Sequence, residues 1–260
     1  MAEPLTFRLL GHGIAYSASP AMMNAAFAAL GLPHRYILAD VPASALARMV
    51  DELRAPTAGG ANVTVPYKGE VVPLLDEVSE VAAEADAVNT IVRRGQRLIG
   101  HNTDMPATVE VIARLCPQGV RHAVVLGAGG ASRAVQRALH ALGEAEIEVL
   151  HRSDGSIARL SDAARAADLL VNATPTGTAS EESPVPAELL RPGLAVLDLV
   201  YRPQPSRLVR DARATGATAE TGAAVLLGQA WRAFELWLDR PAPIDAMRDA
   251  LTRELENDHA

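Results

Sequence analysis

Short apolar runs alternate with longer stretches of helical periodicity along the chain, the pattern of an α/β protein with a mainly parallel sheet. Phe7–Leu10 reads as a first strand, Ser19 as an N-cap with Pro20 at the first helical position, and Gly31 as the stop of that helix. A strand near Tyr36–Ala39 and a helix over Ala43–Leu53 follow, then a strand over Asn62–Val65 and helical patterns to about Ala85. Val88–Val92 and Arg97–Gly100 flank an Arg-Arg-Gly-Gln turn and read as a hairpin. Pro106–Leu115 is helical, and further strands are predicted at Arg121–Leu126, Glu146–Leu150, Leu169–Asn172 and Leu194–Leu199. Ser132–Leu142 and Ser206–Ala214 read as helices. Ala223–Leu238 is apolar on all sides, as in a helix buried between layers, and the tail from Ile244 is amphipathic.

The strand from Arg121 runs into Gly127-Ala128-Gly129-Gly130-Ala131-Ser132, an alanine-rich helix, a stop at Gly143 and another strand. That is the context a dinucleotide fingerprint requires. Glycines let the backbone approach a pyrophosphate, and the helix N-terminus offers free N–H groups and the positive end of its dipole. A purely structural strand–helix turn is the competing account. NAD-preferring sites usually place an acidic residue about 20 positions on, to bind the ribose 2′-OH. Here the next strand ends in His151-Arg152-Ser153, and an Arg and a hydroxyl suit a 2′-phosphate, which favours NADP over NAD.

Three polar stretches carry candidate chemistry: Asn62–Lys68, Ala87–Thr90 and Asn102–Asp104. A lysine and a carboxylate among neutral hydrogen-bonding groups suit proton transfer to a small polyhydroxylated substrate. Taken singly, each residue has a plainer account. Lys68 would be a surface lysine at a helix start, Asp104 an N-cap before Pro106, Asn62 and Asn89 partners of backbone at strand ends, and Gln229 a core amide. Ser17 has no evident structural duty.

Composition narrows the field. A chain of 260 residues supports one large or two modest domains. Aromatic residues are 3% of it, so its cores must be built from Ala, Leu and Val. A net charge of −7 argues against general nucleic-acid or anionic-membrane binding. A phosphate site must then be local, with Arg133 and Arg152 as the nearby cations. The single Cys116 excludes an internal disulfide and a cysteine metal cluster, and reads as a core residue. The histidines lack ligand spacing, and no targeting or membrane-spanning segment is evident, so a metal-free cytoplasmic protein is expected.

Ser17-Ala18-Ser19-Pro20, Asn62–Lys68, Ala87–Thr90, Asn102–Asp104, Gly127–Arg133, Asn172-Ala173-Thr174-Pro175 and Gly222 with Gln229 form an ordered set. In this order the chain resembles the shikimate dehydrogenase family over nearly its whole length. The resemblance implies two domains: an N-terminal α/β substrate-binding and catalytic domain of residues 1–104 plus 223–260, and a Rossmann-like NADP-binding domain of residues 105–222. It implies NADP-dependent reduction of 3-dehydroshikimate to shikimate, a step of aromatic amino-acid biosynthesis, by a monomer or homodimer. Lys68 and Asp104 would be the catalytic pair. Ser17 and Ser19 would bind the substrate carboxylate, helped by Tyr201, while Thr64, Asn89, Asp104 and Gln229 would hold its hydroxyls and reacting oxygen. Gly127, Ala128, Gly129, Gly130 and Ala131 would cradle the cofactor's pyrophosphate, with Arg152 and Ser153 at the 2′-phosphate and the backbone of Leu199 and Gly222 at the nicotinamide.

The chain departs from the family pattern at Gly13, Tyr16, Met23 and Met105, where Pro, His, His and Gly are usual; all four border the implied substrate pocket. It also departs after Ser153, where Asp154-Gly155 replaces a second basic residue on a full helix. One arm of the 2′-phosphate clamp is then missing unless Arg159 or Arg133 substitutes, and NAD use becomes possible. Two other readings stay open: a paralogue acting on quinate or aminoshikimate, and a ligand-binding protein that has kept the substrate pocket but lost a competent cofactor site.

Overall fold

The computed structural model describes residues 3–256, and these fall into two compact units. The first runs up to Asp104 and resumes over Leu227–Glu254; the second is Met105–Leu226 with the chain from Leu255.

The first unit contains β1 (Thr6–Gly11), α1 (Ser19–Ala29), β2 (Arg35–Asp40), α2 (Ala43–Asp51), β3 (Ala58–Val63), β4 (Glu77–Val78), α3 (Glu80–Ala85), β5 (Thr90–Arg94) and β6 (Arg97–His101). They form one sheet in the order β2-β1-β3-β5-β6-β4. β1 is parallel to β2 and β3, whereas β5 is antiparallel to both β3 and β6. This mixture has a local consequence. The carboxyl ends of β1, β3 and β6 and the amino end of β5 share one edge, with Leu10 beside Val63, Asn62 opposite Thr90, and Thr90 opposite His101.

Leu10, Ala61, Val63, Ile91 and Leu98 of the sheet pack with Leu46 and Val50 of α2. The rest of the core differs from the aliphatic one that composition predicts. The chain's three phenylalanines, Phe7, Phe27 and Phe234, gather with Trp237, the Phe7 and Trp237 rings being 4.8 Å apart and those of Phe7 and Phe27 5.1 Å. Few aromatics suffice because each buries a large area, and here all three Phe serve one cluster. Gly59 and Gly60 make room for them. A Cβ on Gly59 would lie 2.3 Å from the Phe7 ring, and one on Gly60 2.6 Å from Trp237 Nε1, whose N–H donates to the Ile91 carbonyl at 3.0 Å.

The second unit holds α4 (Asp104–Leu115, apart from its first residue), β7 (His122–Leu126), α5 (Gly130–Leu142), β8 (Glu146–Leu150), α6 (Leu160–Ala166), β9 (Leu169–Asn172), β10 (Ala195–Asp198), α7 (Arg207–Ala214) and β11 (Thr218–Thr221). All of its strand pairings are parallel, in the order β11-β10-β9-β7-β8. Alternate residues divide its core by face. Val124, Leu126, Leu170 and Val196 pack with α6 and α7, while Ala123, Val125, Leu169, Val171 and Leu197 pack with α4 and α5. The chain leaves β7 for β8 on one side and returns to β9 on the other, so the carboxyl ends of β7 and β9 mark a topological switch point, where such sheets bind ligands. Two helices complete the chain, α8 (Gly222–Leu238) and α9 (Ile244–Glu256). No residue of α8 is exposed. Among the described residues, no helix is long and apolar enough to cross a membrane.

Several local expectations are corrected. Ser19 does not cap α1: Ala18 is already in the right-handed helical region and no side chain caps the helix. β3 ends at Val63, because Pro66 has no N–H for a ladder and the chain turns there, Tyr67 N–H donating to the Thr64 carbonyl at 2.9 Å. Residues 66–79 are mostly turn, with a short 3-10 helix at Val72–Leu74 and the β4 pair, and only α3 is α-helical before Ala85. The four residues Thr-Ala-Glu-Thr of β11 carry no apolar run, and the strand is absent from the pattern-based prediction.

Gly60→Ala is expected to lower stability by about 2–3 kcal/mol. Its φ of +141° disfavours a side chain, and the new methyl would strike both Trp237 and the Ile91 carbonyl. Thermal denaturation followed by circular dichroism measures the loss.

Candidate active site

The sheet edge of the first unit collects the polar stretches. Lys68 follows the turn after β3, where its carbonyl accepts from Val88 N–H at 2.8 Å. Asp104 is the first residue of α4, where a carboxylate suits the helix dipole. Lys68 Nζ lies 2.7 Å from Asp104 Oδ2. The side chains are 34% and 23% accessible, so the ion pair is open to a solute rather than sealed in a core.

Behind the pair is a dry amide network. Asn89, 2% exposed, donates through Nδ2 to Thr103 Oγ1 at 2.9 Å, while its Oδ1 accepts from Thr103 N–H at 2.7 Å and from Thr90 Oγ1 at 3.1 Å. Asn62, also buried, donates to the Asn89 carbonyl at 3.2 Å and to Thr90 Oγ1 at 3.0 Å, and accepts from the Tyr36 hydroxyl at 2.8 Å. Thr64 stands partly exposed beyond the end of β3, its N–H bonded to the Leu10 carbonyl at 2.9 Å. Ser17 and Ser19 join the same edge through the loop after β1. Ser17 does have a structural duty, because its Oγ accepts the Ser19 N–H at 3.3 Å. Gln229 is a buried residue of α8, within the first unit.

In the second unit the glycine turn has the form a pyrophosphate requires. Gly127 needs its lack of a side chain: φ is +105°, and a Cβ would lie 2.9 Å from the Ala173 carbonyl oxygen. Gly129 differs, since a Cβ there would meet nothing within 4 Å and would fill only the space a ligand could enter. Residues 128–131 are exposed, and α5 begins without a side-chain cap, leaving its first N–H groups facing outward. A dinucleotide fits this cradle.

Next to it, Asp198 at the end of β10 is fully buried. It accepts from Asn172 Nδ2 at 2.8 Å, Ser206 Oγ at 2.6 Å and Val200 N–H at 3.1 Å, tying the ends of β9 and β10 to the start of α7. Gly222 is glycine because the Leu199 carbonyl oxygen would be 2.1 Å from a Cβ, so the two backbones touch. Tyr201 is half-buried in the same loop.

The chain is similar to known proteins over nearly its whole length. Residues 9–91 match the shikimate dehydrogenase substrate binding domain, and residues 222–252 match the shikimate 5'-dehydrogenase C-terminal domain. The shikimate dehydrogenase (NADP(+)) of Symbiobacterium thermophilum is 42% identical, with 95% of this chain and 94% of that protein aligned. The chain belongs to the shikimate dehydrogenase family. Among solved structures, shikimate 5-dehydrogenase of Thermus thermophilus in complex with NADP(H) and shikimate is 40% identical with a TM-score of 0.85, covering 96% of this chain and 100% of that one. Quinate dehydrogenase of Corynebacterium glutamicum in complex with NAD is 31% identical at the same TM-score, covering 96% of this chain and 100% of that one.

The segment between β8 and β9 carries the residues expected at the 2′-phosphate. A 3-10 helix over Ser156–Arg159 and the seven-residue α6 fill it. Arg152 and Ser153 are exposed, with Ser153 Oγ 2.8 Å from His151 Nδ1. Arg159 pairs with Glu148 at 2.9 Å, and Arg133 is exposed on the first turn of α5. One supporting residue escaped the sequence reading. Asp198 is the single polar residue of the predicted strand Leu194–Leu199, and its partners Asn172, Val200 and Ser206 are brought to it by the fold. Thr103 lies in a candidate stretch, but its role needs a partner 14 positions away.

Burial raises the Asp198 carboxyl above its ordinary range, against the pull of its three donors. Over a window just above the ordinary carboxylate value, the native chain keeps a proton that the unfolded chain has lost. This group therefore makes stability fall as pH rises through that window. Asp198→Ala is expected to abolish that fall and, by stranding three donors, to cost about 3 kcal/mol at neutral pH. Urea denaturation at several pH values measures both.

Proposed function

We propose that this chain is an NADP-dependent dehydrogenase that reversibly reduces 3-dehydroshikimate to shikimate, with Lys68 and Asp104 handling the proton. The observation that carries the reading is the solvent-accessible 2.7 Å Lys68–Asp104 pair, set beside a locked, neutral hydrogen-bonding wall. Residues 1–104 with 223–260 take the substrate-binding and catalytic role, and residues 105–222 bind the dinucleotide. Bound NADPH supplies the hydride. Reduction of a ketone builds negative charge on its oxygen, and the Lys68 ammonium donates the proton that neutralises it. Asp104 orients Nζ and accepts from a substrate hydroxyl.

Ser17 and Ser19 offer hydroxyl donors to the substrate carboxylate, with Tyr201 assisting. Thr64, Gln229 and the Nδ2 of Asn89 hold the ring hydroxyls, since the Asn89 Oδ1 is already engaged by Thr103 and Thr90. Gly127–Ala131 cradle the pyrophosphate, Arg152 and Ser153 meet the 2′-phosphate, and Leu199 and Gly222 border the nicotinamide. The reaction draws on reduced nicotinamide of the cytoplasm, and we place the enzyme there.

Curated relatives that are 34–42% identical over nearly the whole chain are shikimate dehydrogenases (NADP(+)), which favours shikimate over quinate or aminoshikimate. The open glycine turn and the accessible ion pair argue against a protein that only binds its ligand. Lys68→Ala is expected to reduce turnover by about a thousandfold while leaving the shikimate KM within several-fold. In the oxidative direction Lys68 accepts the proton that the substrate hydroxyl loses. Steady-state assays with shikimate, quinate and aminoshikimate, each with NADP and NAD, test the whole reading. Near-wild-type turnover in the Lys68 variant, or preference for another acid, would refute it.

A further inference from the structure

We propose that Asp40 is a positioning residue for the substrate carboxylate, acting by gripping the loop that carries Ser17 and Ser19. The inference rests on the reading above that these serines meet the carboxylate. Between Gly11 at the end of β1 and Ser19 at the start of α1 the chain crosses the sheet edge with no regular structure of its own. Something else must fix where its hydroxyls point.

Asp40 ends β2 directly beside Gly11 in register. Its Oδ1 accepts from Gly13 N–H at 3.1 Å, and its Oδ2 from Ile14 N–H at 3.1 Å, so one carboxylate spans two consecutive peptide groups. The His12 ring nitrogen Nδ1 adds a contact to Oδ1, also at 3.1 Å. The grip is passed on. The Ile14 carbonyl accepts the Ser17 N–H at 3.0 Å, and Ser17 Oγ accepts the Ser19 N–H at 3.3 Å.

Two further features hold the loop in place. The Ile14 side chain is 1% exposed, and Gly11 packs so closely that a Cβ would lie 2.6 Å from Ile14 and 2.7 Å from Thr64. A proline at position 13 could not supply the N–H that Asp40 takes, so glycine there, at a φ of +68°, is what lets the carboxylate close on both peptides. Bonds from Gly13 and Ile14 favour the charged carboxylate and keep its pKa below the ordinary value, so the grip is intact at neutral pH. As an acceptor Asp40 cannot itself bind an anion, and its influence must run through the loop.

The test is steady-state kinetics on the full chain, with Asp40→Ala, Asp40→Asn, Ser17→Ala and Ser19→Ala in parallel. Asp40→Ala is expected to raise the shikimate KM about tenfold. Its kcat and NADP KM should stay within about twofold, with little change in Tm. Asp40→Asn, which keeps one acceptor oxygen, should fall between wild type and Ala, and it preserves the test if the Ala variant does not fold. With shikimate methyl ester, which lacks the carboxylate charge, the Ala penalty should shrink to about twofold. A shikimate KM unchanged in Asp40→Ala but raised in the serine variants would overturn the proposal and leave the carboxylate reading standing. An equal penalty on the ester, or a loss in kcat alone, would also overturn it. An unchanged KM in both serine variants would refute the carboxylate reading itself, and this proposal with it.

Discussion

The polar edge of the first unit depends on the side chain of Asn89. A buried amide that loses its partners costs about 1–3 kcal/mol, so the groups around it cannot drift independently. Asn89 joins the start of β5 to Thr103, and through its carbonyl it meets Asn62 of β3. Three stretches that are distant in sequence are thereby held in one arrangement. Lys68 and Asp104 inherit it: the Lys68 carbonyl is bonded to Val88, one residue before Asn89, and Asp104 follows Thr103 directly. The 2.7 Å ion pair is thus set by a dry scaffold while its charged atoms stay accessible. Rigidity and access come from different residues, a division that suits proton transfer to a mobile substrate.

The second unit solves a different problem with missing side chains. Gly127 and Gly222 let backbones touch, at the Ala173 and Leu199 carbonyls, whereas Gly129 leaves space unfilled by any protein atom. The first two are packing requirements and the third leaves room beside the turn, though all three look alike in sequence. Asp198 then locks the two loops that leave β9 and β10, so the strand ends at the switch point are as constrained as the glycine turn beside them.

The sequence was most legible where the physics is local. Glu146–Leu150 and Leu169–Asn172 are predicted to the residue: the second is a bounded apolar run buried on both faces, and the first, at the edge of the sheet, alternates Glu with Ile and Val. Legibility fails where neighbours far along the chain decide. Thr218–Thr221 is a strand only because β10 offers it a parallel edge. Residues after Pro66 have helical spacing, yet the chain there turns to present Lys68 and to return Val88 beside it. Among the candidate residues, the motif order located Lys68, Asp104 and Asn89 because their chemistry is unusual at strand ends. Asp40 carried no such mark. An acidic residue closing a half-exposed strand looks like ordinary surface until Gly13 and Ile14 are seen to point their N–H groups at it.

The side chains at the end of β8 bear on the preference for NADP. After β8, His151 Nε2 pairs with Asp154 at 2.8 Å, Ser156 N–H donates to Asp154 Oδ1 at 2.8 Å, and Arg159 is occupied by Glu148. Asp154 is the carboxylate nearest in sequence that could receive a ribose 2′-OH, and it is already engaged. Discrimination toward NAD needs a free acceptor there, and discrimination toward NADP needs a cation. Arg152 is an exposed guanidinium with a planar fork of donors, able to hold a phosphate through two bonds without a second basic residue. The carboxylate that would reward NAD is therefore committed to folding the turn, while the Arg152 guanidinium is exposed.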